Sequence, residues 1–160
     1  MRIGSWFLKI VIGLISLVVI AIAVIPLPQM TVAVLPKAPA ALHVVGGILA
    51  VGGYIFLLAF LGAAWCAEKL LLVIDRNLAF SRQAVLLLAR IKWCVTLMAV
   101  GALLWLPFLF KIVQMEDAPG LMLMALAVIA VPIVMAVFLA VLQRLWSSAL
   151  DYKEENDLTI

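Results

Sequence analysis

The stretch WCAEKLLLVIDRNLAFSRQAVLLLARIKW, residues 65–93, begins and ends on tryptophan and lies between two long apolar runs. It carries Lys69, Arg76, Arg82, Arg90 and Lys92 against only Glu68 and Asp75. The indole ring prefers the headgroup level of a bilayer, so Trp65 and Trp93 mark one interface and the residues between them stand outside the hydrocarbon. Ser81 is a good N-cap after a turn at 77–80, so the stretch reads as a helical hairpin. It rises two to three turns, roughly 15 Å at 1.5 Å per residue. Glu68 and Arg90 are equidistant from the turn, which predicts an interfacial ion pair contributing about 0 to 1 kcal/mol.

Apolar residues continue on both sides of the hairpin. They predict helix two over 41–76 and helix three over 81–112, with Pro107 bending or loosening the last turns. A further run over 6–26 is stopped by Pro26 and Pro28, which cannot extend a helix without losing hydrogen bonds. Its Arg2 and Lys9 give it the look of a signal peptide. The apolar stretch is too long for a typical h-region, however, and Ala21 with Ala23 is a poor cleavage cue, so the expectation is a span. Residues 27–40, with Pro28, Pro36, Pro39 and Lys37, read as an extended connection. After a loop at 114–120 carrying Glu116 and Asp117, a fourth helix is expected over 121–146 with Pro132 near its middle, followed by an acidic tail, 147–160.

Composition agrees with four spans. Of 160 residues 69% are hydrophobic and 12% charged, and a spanning helix takes about 20 mostly apolar residues. The expectation is an all-α integral membrane protein: four transmembrane helices in one antiparallel bundle, a single membrane domain over 1–160. Arg2, Lys9, Lys69, Arg76, Arg82, Arg90, Lys92, Arg144 and Lys153 fall on one side of this map, and only Lys37 and Lys111 on the other. Such a bias places the hairpin and both termini in the cytoplasm. Trp6, Trp65, Trp93 and Trp146 supply one anchor per helix at that same face. The net charge of +3 is explained by this orientation, and no direct nucleic-acid binding is expected.

The chemistry of enzymes is missing from the pattern. His43 is the only histidine, which rules out bis-histidine haem ligation and histidine clusters within one chain. Ser16 and His43 belong to no nucleophile motif and no oxyanion cue lies between them. No Asp, Glu, Lys or Arg lies deep in a span, where ion-coupled transporters keep one. Cys66 and Cys94 read as small apolar fillers on the reducing side. Neither an enzyme nor a cofactor is expected. Gly46, Ala50 and Gly53 recur at i, i+4 and i+7, a stripe that lets a helix approach closely, and the lipid-facing surface is compatible with a homo-oligomer.

Two stretches carry a family resemblance: residues 77–83, NLAFSRQ, and the ending KEENDLTI, residues 153–160. In these, and in length and helix count, the chain resembles the small four-helix bacterial membrane proteins grouped as domain of unknown function 2975, although Ala79 stands where that family favours proline. The resemblance implies a bacterial inner-membrane location. It also implies a partner, because members are often encoded beside a small helix-turn-helix transcription factor. The hairpin carries an excess of cations, whereas the tail sets Asp151, Glu154, Glu155 and Asp157 against Lys153. Together they are expected to form a platform for a cytosolic regulator. In that reading Ser81 caps helix three, Phe80 anchors the turn and Arg82 pairs with an acidic tail group. Glu154, Asn156 and Asp157 face the partner, and Leu158 with Ile160 offers an apolar hook. Two other classes compete. One is a small transporter or immunity protein for an apolar or amphipathic compound, using a cleft bounded by Pro107 and Pro132; the other is a structural subunit of a membrane complex.

Overall fold

A computed structural model describes residues 2–29, 31, 36, 40–76, 78 and 81–157. Its helices are α1 (Arg2–Val24), α2 (Pro26–Gln29), α3 (Ala40–Asp75), α4 (Arg82–Leu103), α5 (Leu106–Glu116) and α6 (Pro119–Asp157). Four helical stretches are long and apolar enough to cross a membrane: Trp6–Val24, Leu42–Asp75, Arg82–Glu116 and Pro119–Lys153. The helices are right for this solvent, because hydrocarbon offers nothing to an unpaired peptide group and a helix pairs its own. With 36 residues α3 is about 54 Å long at 1.5 Å per residue, well beyond the roughly 30 Å of hydrocarbon. One or both of its ends therefore stand outside it.

The turn between α3 and α4 is tight. Ser81 is extended, with φ −133° and ψ 154°, and its hydroxyl accepts from the Ala84 N–H at 3.3 Å. This satisfies one of the orphan donors of the first turn. Val73, Ala84 and Leu87 close the turn from inside. From there α4 returns along α3, and its buried residues Ala84, Leu87, Leu88, Val95, Ala99 and Ala102 fall on one helical face. Another cluster, Leu88, Val95 and Leu139 with Leu142 and Trp146 against it, joins α4 to α6. Helix α1 packs on α3, and its side chains from Trp6 to Val24 are half-buried or exposed.

The third span is broken where proline requires it. Pro107 has no N–H for the Leu103 carbonyl and its ring crowds that group. The ladder accordingly tightens beforehand: the Trp105 N–H donates to Ala102 O at 3.1 Å, three residues back, and α5 starts afresh with Pro107 in its first turn. The loop expected at 114–120 is mostly helical. The reversal is confined to Asp117 and Ala118, with Asp117 left-handed at φ 49°, a conformation that aspartate tolerates better than most residues. Likewise α6 does not stop at Trp146. It runs on to Asp157, because Ser147 to Asp157 contains no proline or glycine to interrupt it and Leu150 is buried. Where the extended connection 27–40 was expected to begin, Pro26–Gln29 forms one helical turn, after which the Thr31 hydroxyl donates to the Pro28 carbonyl at 3.0 Å.

Candidate functional site

At the hairpin end α3 and α4 diverge around an open groove of about 390 Å³, lined by Lys69, Arg76, Arg90 and Gln83 among Leu72, Val73, Leu78, Leu86 and Leu87. No acid lies within ion-pair distance of Lys69, Arg76 or Arg90 among the described residues. Asp75, the neighbour of Arg76 in sequence, receives the Lys9 ammonium of α1 at 2.6 Å. Glu68 and Arg90, which sequence symmetry about the turn matches with one another, form no ion pair among the described residues. Symmetry fixes their height along the two helices and leaves open which way each points around its axis. Both Lys69 and Lys92 instead lie over indoles, at 5.1 Å from the Trp65 ring and 5.5 Å from the Trp93 ring. These are cation–π contacts between a charge and a ring at the same level.

The four tryptophans of the expected belt divide into two kinds. Trp6, Trp65 and Trp93 are more than three-fifths exposed, as anchors in a headgroup layer are. Trp146 packs against the Leu88, Val95 and Leu139 cluster, with its indole nitrogen buried and lacking a hydrogen-bond partner. It is a packing residue between α4 and α6. On its far side a shallow polar groove holds Lys92, Gln143, Arg144, Ser147 and Ser148.

Beyond it α6 continues as an arm. Asp151, Tyr152, Lys153 and Glu155 are exposed, Tyr152 to 71%. Asn156 and Asp157 lie on its final turn and Glu154 on the turn before, all within the helix. Arg82 is the first residue of α4 and is exposed. Phe80, Leu158, Ile160 and Lys37 lie outside the described residues.

Deep in the span region a different groove, about 380 Å³ and almost wholly apolar, opens between α3, α4 and α6. Phe56, Phe60, Met98, Trp105, Pro132 and Met135 are among its walls. The rings of Phe56 and Trp105 stand 5.4 Å apart, tilted by 42°. Val128 also lines it, and Pro132 has no N–H to give the Val128 carbonyl. The cleft expected between two prolines thus includes Pro132, whereas Pro107 is exposed and is not one of its lining residues.

A close approach of α3 and α4, at Gly52 and Gly101, was not read from the sequence. A Cβ on Gly52 would lie 2.6 Å from the Gly101 carbonyl oxygen, and one on Gly101 would lie 2.8 Å from that of Gly52. Gly46 and Gly53 are buried and Ala50 is half-buried. The signal of the close approach was Gly101, the one glycine in the sequence between Ser81 and Glu116. One level nearer the hairpin, a Cβ on Gly62 would lie 3.3 Å from Cys94 Sγ, and Cys66 and Cys94 are both free thiols.

The sequence pattern of the family described as "Protein of unknown function (DUF2975)" matches residues 27–160. A relative from Bacillus subtilis (strain 168), "Uncharacterized membrane protein YoaS", is 33% identical over 162 residues, covering 99% of this chain and 99% of the relative. No solved structure matches.

Proposed function

The chain belongs to the DUF2975 family and is a membrane protein, and from that premise we propose that it is a non-enzymatic scaffold of the bacterial inner membrane that holds a cytosolic regulator. In this reading the lysine and arginine bias sets the hairpin and both termini in the cytoplasm. The α6 arm and the start of α4 form the docking surface. The observation that carries it is the continuation of α6 to Asp157. An acidic segment already helical and rooted by the buried Leu150 loses little conformational entropy on binding. Its Asp151 and Glu155, with the exposed Tyr152 beside them, suit a partner with a basic surface. A helix-turn-helix DNA-binding protein has such a surface on its DNA-facing side. Occupying that surface would keep the regulator both at the membrane and off its operator.

The test compares crosslinking and affinity purification of the tagged full chain from its native membrane with that of a chain ending at Leu150. A cytosolic protein recovered only with the arm supports the reading. Replacing Asn156 and Asp157 by alanine is expected to abolish its recovery. Equal recovery from all three chains overturns it.

A second reading is favoured by the apolar groove at Pro132: binding or passage of an apolar compound between α3, α4 and α6. It predicts that the chain ending at Leu150 keeps full activity, while bulky substitutions that fill the groove, such as Ala63→Phe, abolish it.

A further inference from the structure

We propose that the groove between the end of α3 and the start of α4 binds the phosphodiester headgroup of an anionic glycerophospholipid. Three cations, Lys69, Arg76 and Arg90, border one cavity and lack a counter-anion among the described residues. Gln83 adds a side-chain donor to the same wall. Two guanidinium groups supply the forked donors that match phosphate oxygens. Asp75, beside Arg76 in sequence, receives the Lys9 ammonium of α1.

Depth decides between a lipid and a soluble anion. Lys69 follows Trp65 by about one turn and stacks on it, and Arg90 precedes Trp93 by about one turn, so the cations begin within roughly 6 Å of the indole level. That is where phosphates lie relative to interfacial tryptophans. The acidic arm belongs to α6, which packs on α4 through Leu88 and Val95 and not through the α3–α4 groove. The inference holds whichever side of the membrane the hairpin occupies, so it stands apart from regulator docking.

The experiment is native mass spectrometry of the full chain in detergent, titrated with phosphatidylglycerol or with phosphatidylethanolamine of the same acyl chains. Phosphatidylglycerol is expected to bind preferentially. The double variant Arg76→Gln with Arg90→Gln should lose roughly twenty-five-fold in affinity, at about fivefold for each charge removed. Arg76→Lys with Arg90→Lys should keep the preference, which separates loss of charge from loss of fold, and Arg144→Gln in the neighbouring groove should leave the affinity unchanged. Equal binding of the two lipids overturns the proposal, as does an Arg144→Gln loss equal to that of the double variant. Displacement of the lipid by equimolar inorganic phosphate overturns it in favour of a free-anion site, and displacement by a peptide of residues 147–160 overturns it in favour of closure by the chain's own tail.

Discussion

Gly13 in α1 and Gly52 in α3 sit in helices of similarly apolar composition, and their surroundings have nothing in common. Around Gly13 a Cβ would meet no atom within 4 Å; at Gly52 it would collide with a carbonyl oxygen, a side-chain carbon and an indole ring. The same division runs through the two regions. Side chains of α1 between Trp6 and Val24 are open or half-open to their surroundings, whereas α3 and α4 share a buried seam from Val73 and Ala84 at the turn to Gly52 and Gly101 far along it. Lipid tails are as apolar as leucine, so a hydrophobic surface alone gives two spans no reason to associate. Close backbone approach does, through dispersion and Cα–H···O contacts. Hydropathy reports that a segment enters the membrane, and small residues report what it does there.

One substitution made at both glycines breaks or sharpens that contrast. Gly52→Ala should destabilise the protein by about 2 kcal/mol or more, because the new methyl meets backbone that cannot give way. Unfolding in mixed detergent micelles measures this, and a neutral result would dissolve the distinction between the regions. Next in size is Ser81→Ala at the turn of the packed pair, expected to cost about 1 kcal/mol through the lost cap. Faster hydrogen exchange at the Ala84 amide is the local readout. Asp75→Asn removes the ion pair between the regions. With both partners partly exposed, it should cost at most about 1 kcal/mol, seen as weaker crosslinking of α1 to α3 while α3–α4 crosslinking is unchanged. Smallest of all, Gly13→Ala should shift stability by no more than about 0.5 kcal/mol.

The legible part of the structure follows from the same physics. Four spans were readable because length and apolarity are properties of one helix at a time. Ser81 was readable because capping is local, satisfied within three residues. What escaped depends on rotation about helix axes and on partners distant in sequence. Gly52 is a point of close approach because Gly101, distant in sequence, lies opposite it. Glu68 and Arg90 form no ion pair among the described residues, while Asp75 finds a lysine 66 residues away. The arm beyond Trp146 was read as tail because charged residues dominate it, yet charge does not end a helix when no glycine or proline does. Of the candidate docking residues, Arg82 begins α4 and Glu154, Asn156 and Asp157 lie on α6, while Phe80, Leu158 and Ile160 lie outside the described residues.

The tie between Lys9 and Asp75 also bears on how the molecule is made. Chains are synthesised from the N-terminus, so Lys9 reaches the bilayer while its partner Asp75 is still 66 residues from being added. A span whose surface needs no protein neighbour can wait in lipid, with Lys9 extended toward the headgroups meanwhile. The order of synthesis and the order of lateral association are then reversed: α1 inserts first, and it docks only after the α3–α4 hairpin has brought Asp75 to the same end of the molecule.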